Sequence, residues 1–164
     1  MNYGAYNLNN PESLDTPTML TYPHIVNKNI DEIIKICGDP SNLVPHAKTH
    51  KSPDILKMQI DRGIRSFKCA TLKEAEMVAT NGGLEVVMAY PLIHPKKLDR
   101  FTHLVDRYPD IKFSAIASTS EHLEELNKAV SNIGKRIGVY MDLDSGMRRT
   151  GVQPGNDAVF FIHL

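Results

Sequence analysis

An α/β protein with a parallel sheet is what this sequence predicts, and three observations carry the prediction. Apolar runs that read as strands alternate with segments of helical periodicity. The strand ends fall near Lys48, Ala70, Tyr90, Ala117 and Leu143, about 20 to 28 residues apart with a helix in every gap, which is the rhythm of right-handed βαβ crossovers. The strands are near-continuous apolar runs, as expected where both faces are covered. Two closures fit this pattern, an open doubly wound sheet and a (β/α)8 barrel. No GxGxxG turn follows an early strand, so the barrel is favoured. A complete barrel takes about 250 residues. These 164 residues supply about five βα units, so a TIM-type barrel present only in part is expected.

Each element has its own signals. Thr16-Pro17 is a turn, and a short strand is expected over Thr18–Tyr22. Val26, Ile30, Ile33, Ile34 and Cys37 fall at helical spacing, which predicts a helix over Asn27–Cys37 stopped by Gly38. A strand over Leu43–Lys48 follows. Pro53 then suits the first turn of a helix ending before Gly63. The pattern repeats with strand Ser66–Ala70 and helix Leu72–Asn81, then strand Leu84–Tyr90 and a helix from Pro95 to Tyr108. Strand Ile111–Ile116 leads to Ser118, Thr119 or Ser120 as N-cap of a helix reaching Ile133, with Glu121, Glu124 and Glu125 in its first turns. Strand Arg136–Leu143, a polar loop and an apolar segment, Ala158–Leu164, close the chain. That apolar, uncapped end is unlike a natural C-terminus, so the chain is expected to be the front part of a longer protein. Residues 1–22 read as an N-terminal arm with a short strand, and residues 23–164 as the barrel portion.

Composition narrows the function. With 41% hydrophobic and 23% charged residues, the chain suits a single domain with a real core. Nineteen basic residues balance nineteen acidic ones, which leaves no electrostatic footprint for nucleic acid or an acidic membrane surface. No run approaches the length of a membrane span, and Met1–Asn7 lacks the basic and apolar regions of a signal peptide. A cytoplasmic location is expected. Cys37 and Cys69 match no zinc spacing and are expected to be two buried, reduced thiols.

In a parallel barrel the chemistry sits at the carboxyl ends of the strands. That rule selects His46, Lys48 and His50; Lys68 to Thr71; Ala89, Tyr90 and His94; Ser118 and Thr119; and Asp142, Asp144 and the loop Ser145–Gly151. Lys48 leads this group. A lysine at the tip of a buried strand is desolvated, and desolvation makes it a nucleophilic amine able to form a Schiff base. On an extended strand His46, Lys48 and His50 share one face, and neighbouring positive charge further favours the free amine. The alternative is a solvated basic loop in which His50 and Lys51 only cap the next helix. In the second constellation, Gly146 and Gly151 bracket Arg149, so the backbone can approach a ligand closely and a guanidinium can meet an anionic oxygen. An ordinary turn with a surface arginine is the competing reading. Zinc on His46 and His50 is weak because Pro45 places them on a strand and turn. No GxSxG elbow is present.

Four blocks occur in order: Thr16-Pro17-Thr18, Pro45-His46-Ala47-Lys48-Thr49-His50-Lys51, Cys69-Ala70-Thr71-Leu72-Lys73-Glu74-Ala75-Glu76, and Asp144-Ser145-Gly146-Met147-Arg148-Arg149-Thr150-Gly151-Val152. Together they resemble the D-threonine aldolase family, which also contains the eukaryotic-type D-serine dehydratases. These are fold type III pyridoxal-phosphate enzymes on the alanine racemase-like barrel. The resemblance runs from about Asp15 to Gly155. The PHxKTHK block is specific, whereas the D-x-G-M-x-R-x-G block is shared with racemases of the same fold.

The resemblance implies that Lys48 carries pyridoxal phosphate as a Schiff base and that Arg149 hydrogen-bonds its phenolic oxygen. Tyr90 is a further candidate at the cofactor, and His46 a candidate base. It also implies that the short strand near residue 20 belongs to a C-terminal β-domain. Val44 and Ser145 depart from the arginine and asparagine common in the family. Most phosphate contacts and a divalent-metal site are expected in the absent C-terminal part, so no residue here is a metal ligand and the fragment alone is expected to be inactive. The expected reaction is cleavage of D-3-hydroxy amino acids to glycine and an aldehyde. The alternatives are D-serine dehydration, amino-acid racemisation, a non-catalytic pyridoxal-phosphate carrier and a cofactor-free Schiff-base aldolase. A small D-amino acid is the expected partner, and the full-length protein is expected to form a homodimer.

Overall fold

The computed structural model describes residues 2, 3 and 6–162, with side chains from Leu8 onward. The end of the apolar segment Ala158–Leu164 lies outside the described residues at His163 and Leu164. A two-stranded antiparallel ladder of β1 (Asn2–Tyr3) and β2 (Tyr6–Asn7) comes first, which the sequence reading did not foresee. The strand expected over Thr18–Tyr22 is absent, and these residues carry no regular structure. Helix α1 spans Pro23–Cys37, four residues longer at its start than expected. Pro23 explains the difference: at the first helical turn its missing N–H is no loss.

The core repeats one unit. Helix α2 (Pro53–Ile60) precedes β3 (Ser66–Cys69), followed by α3 (Leu72–Thr80), β4 (Glu85–Met88), α4 (Pro95–Arg107), β5 (Lys112–Ala117), α5 (Ser120–Ser131), β6 (Gly138–Met141) and α6 (Asn156–Ile162). Strands β3 to β6 form one parallel sheet in sequential order. Sequential order settles the closure question. A doubly wound sheet reverses strand order at a switch point, whereas right-handed crossovers in unbroken order put every helix on one face. This is the arrangement of a partial (β/α) barrel.

Burial follows from that layout. Phe67, Cys69, Val86, Met88, Phe113, Ala115 and Ala117 face the helices and join Leu56, Ala75, Val78, Phe101 and Leu104 in the core. Phe101 and Phe113 meet edge to face, with ring centroids 6.0 Å apart, a favoured aromatic geometry. The opposite face is polar toward its amino-terminal end. There Ser66 Oγ donates to Glu85 at 2.9 Å and Lys112 pairs with Glu85 at 2.8 Å, across three registered neighbours. The expectation of two covered faces therefore holds for the helix face and only in part for the other, where Val87 and Ser114 are buried but Lys68 and Lys112 are exposed. Val139 and Tyr140 of β6 are exposed at the sheet's edge.

Candidate active site

The first barrel strand is reduced to a single point. Lys68 N–H donates to Pro45 O at 2.9 Å, and His46 bridges Lys68 in parallel. The chain then leaves the sheet in a 3-10 turn, Ala47–Thr49. This corrects the strand expected over Leu43–Lys48, and with it the shared extended face of His46, Lys48 and His50. Local hydrogen bonds win over the apolar run. Lys48 N–H donates to His46 Nδ1 at 3.4 Å, Thr49 Oγ1 donates to His46 O at 2.9 Å, and Lys51 N–H donates to Ala47 O at 2.9 Å. Ala47 is fully buried beneath the turn, while Lys48 is exposed and its amine has no partner among the described residues. The desolvated lysine expected from sequence is thus a correction as well: the turn lifts Lys48 off the core.

Two imidazoles flank it. Burial pushes His46 below the ordinary histidine range, the Lys48 charge adds to this, and the Glu74 carboxylate opposes it. Burial also lowers His50. Ser52 N–H donates to His50 Nδ1 at 3.1 Å, and that contact and the Gln59 side chain oppose the effect of burial. Both rings therefore favour the neutral form, with Nδ1 accepting a backbone N–H and the ring hydrogen on Nε2.

Glu74 is a residue of the site that the strand-tip rule does not select. It lies in the first turn of α3, where Thr71 Oγ1 caps its N–H at 3.2 Å. The residue is 4% exposed. Its Oε2 accepts the N–H of Ala70 at 2.8 Å, and Lys51 Nζ stands 3.9 Å from Oε1. Glu at the third helical position after a Thr cap is the legible signal of such a reach-back. Cys69, beside it, is buried and its thiol is pushed up to about 12, first by burial and then by the Glu74 charge. Cys37 is only half-buried, unlike the expectation.

The glycine loop is built around Asp144. Its Oδ1 accepts the N–H groups of Gly146 at 2.9 Å and Arg148 at 2.8 Å, and Oδ2 accepts Gln153 Nε2 at 2.8 Å. These donors hold its carboxyl below the usual aspartate range. Gly151, at φ 106°, passes so close that a Cβ would lie 2.5 Å from Asp144 N. Val152 N–H closes the loop on Asp142 O at 2.7 Å. Arg149 projects from it, exposed and unpaired among the described residues. It lines a cleft of about 450 Å³ made of loop residues. Tyr90, 51% exposed, lines a separate cleft of about 410 Å³ with Thr71, Leu92 and Arg100. Neither cleft includes Lys48. At the end of β5, Thr119 caps α5 and Ser118 N–H donates to His122 Nδ1 at 3.3 Å.

A sequential parallel sheet with helices on one face, and an exposed lysine turn at its carboxyl end, defines part of a (β/α) barrel. The chain belongs to the family described as alanine racemase, N-terminal domain, whose model matches residues 24–164. It is 29% identical over 110 residues to a D-threonine aldolase of Arthrobacter sp, covering 67% of this chain and 28% of that protein. It is 26% identical over 162 residues to the D-serine dehydratase of Dictyostelium discoideum, covering 94% of this chain and 40% of that one. The crystal structure of D-threonine aldolase from Filomicrobium marinum superposes with a TM-score of 0.81 at 25% identity, over 90% of this chain and 39% of that chain. The chain thus spans well under half the length of these relatives. No helix among the described residues is long and apolar enough to cross a membrane.

Proposed function

We propose that the full-length protein is a pyridoxal-phosphate-dependent lyase that cleaves D-3-hydroxy amino acids to glycine and an aldehyde. Lys48 is the observation that carries this reading. Its amine is exposed and unpaired, on a turn seated at the carboxyl end of the sheet between two imidazoles that favour the neutral form. An unpaired primary amine among neutral bases fits an aldehyde-bearing cofactor. Lys48 would hold that aldehyde carbon, and Arg149 and Tyr90 are the candidates for contacts to the ring. Pyridoxal phosphate, when bound, supplies an electron sink for the pair left on the substrate Cα. In the cleavage the β-hydroxyl loses its proton and the Cα–Cβ bond breaks. The pair stays on Cα, Cβ leaves as the aldehyde carbon, and a proton returned to Cα completes glycine. His46 is the candidate to accept the hydroxyl proton; its Nδ1 lone pair also takes the Lys48 N–H at 3.4 Å, so accepting a proton there would release that contact.

A second reading, D-serine dehydration, is favoured by the length of the D-serine dehydratase match. There the α-proton leaves and hydroxide departs from Cβ; a divalent metal, were one bound, would supply Lewis-acid assistance to that departure. The metal's ligands are expected outside these 164 residues. Residues 1–164 alone are expected to lack activity, and the full-length protein to be a homodimer. The deciding experiment is absorbance of the full-length protein with pyridoxal phosphate. Lys48→Ala is expected to abolish the band of the lysine-bound cofactor, and its persistence would sink the assignment. Assays with D-threonine and D-serine, with and without chelator, then separate cleavage from dehydration.

A further inference from the structure

Glu74 is a buried carboxylate that the proposed reaction does not use. One oxygen is satisfied by Ala70 N–H, while Oε1 is buried without a hydrogen-bond donor and has only the Lys51 ammonium at 3.9 Å. A buried, half-satisfied carboxylate is expensive unless cations or polarisable groups face it. The cation that faces it, Lys51, comes from the Lys48 turn, and the two imidazoles of that turn feel the Glu74 charge. From β3, Cys69 also feels that charge, and Lys68 is bridged to His46 through the backbone. Lys51 also holds a left-handed backbone, φ 51°, unusual for a residue with a Cβ and sustained only where surroundings impose it. Its N–H closes the turn on the fully buried Ala47.

We propose that Glu74 is a positioning residue for Lys48: its buried carboxylate holds the His46–Lys51 turn, through Lys51, in the geometry that presents the Lys48 amine to pyridoxal phosphate. The inference rests on the reading above that Lys48 carries the cofactor. It differs from a purely structural role in requiring charge. Glu74→Gln keeps the side-chain length and an oxygen for Ala70 N–H, but it loses the charge that holds Lys51.

The test is a spectral titration of the cofactor-free full-length protein with pyridoxal phosphate, alongside thermal unfolding. Glu74→Gln is expected to weaken cofactor uptake about tenfold, because a reacting group displaced by a fraction of an ångström loses much of its advantage. Lys51→Met is expected to weaken it about threefold, the smaller effect reflecting solvent screening of a side chain that is 66% exposed. Lys51→Arg is expected to restore uptake. Without cofactor, both weakened variants are expected to lose amide protection over residues 46–51. Wild-type cofactor affinity in either Glu74→Gln or Lys51→Met overturns the proposal, and the exposed Lys51 decides alone if Glu74→Gln does not fold. Lys48→Ala separates the two levels. If that variant keeps the cofactor band, the underlying reading fails. If it loses the band while Glu74→Gln and Lys51→Met behave as wild type, only the positioning role fails.

Discussion

The Lys48 turn and the Asp144 loop both present an exposed cation at the carboxyl end of the sheet, but they are held in different ways. The loop is self-contained: Asp144 gathers two backbone N–H groups and the Gln153 amide, and Gly151 lets its two ends pass in contact. The turn depends on its neighbours. Pro45 and His46 are stitched to β3, Ala47 is buried beneath it, and the carboxylate facing it comes from α3. A loop that carries its own anchor withstands change in adjacent elements. A turn anchored from outside responds to them, and to the protonation of its own imidazoles.

Three perturbations would break or sharpen this contrast. The largest effect is expected at the loop's crossing point. Gly151→Val puts a branched side chain at positive φ against the Asp144 backbone, and should cost about 3 kcal/mol in chemical denaturation. A loss of under about 1 kcal/mol would show that the close crossing is dispensable. Next, Ala47→Leu overfills the fully buried site under the turn. A cost of about 2 kcal/mol is expected, with amide protection lost over residues 46–51 and retained over 144–151. Loss at both would mean that the two regions are not independent.

The smallest effect is the pH dependence. His46 and His50 are held below the ordinary value of 6.5, so the unfolded chain takes up their protons first. Their contribution is complete above pH 6.5 and is lost as pH falls toward the lowered folded values. Asp144 is held below 3.8, so its contribution is complete above that value and fades only as pH falls through the lowered one. Near pH 5, amide protection corrected for intrinsic exchange should therefore weaken in the turn and persist in the loop. Asp144→Asn should remove the loop's acid-dependent step and leave the turn's unchanged. Simultaneous loosening of both near pH 5 would erase the distinction.

Much of the fold was legible because its signals are local. Thr71 and Thr119 cap the helices that follow them, Pro53 and Pro95 open theirs, and Gly38, at φ 80°, stops α1. Each element from α2 to α6 therefore fell within a few residues of its expected place. The failures also have local causes. Leu43 and Val44 read as a buried strand, yet the His46 side chain and the hydroxyl of Thr49 turn the backbone away after a single bridge. The ladder near the N-terminus was missed because two-residue strands carry no period to detect. Glu74 is not legible as a buried group, because a glutamate in a first helical turn is ordinarily a solvated cap; only the packing of α3 against the Lys48 turn buries it.

By itself, the sequence determined the alternation of strands and helices, the family resemblance, and the short set of residues at the strand tips. Spacing, caps and turn residues act over a few positions, so a linear reading can see them. The tertiary structure alone decided that the sheet runs in sequential order with its helices on one face, that Lys48 is exposed rather than desolvated, and that a carboxylate from the next βα unit sits behind its turn. Each of these depends on which elements pack together, because burial and charge pairing are properties of neighbours in space.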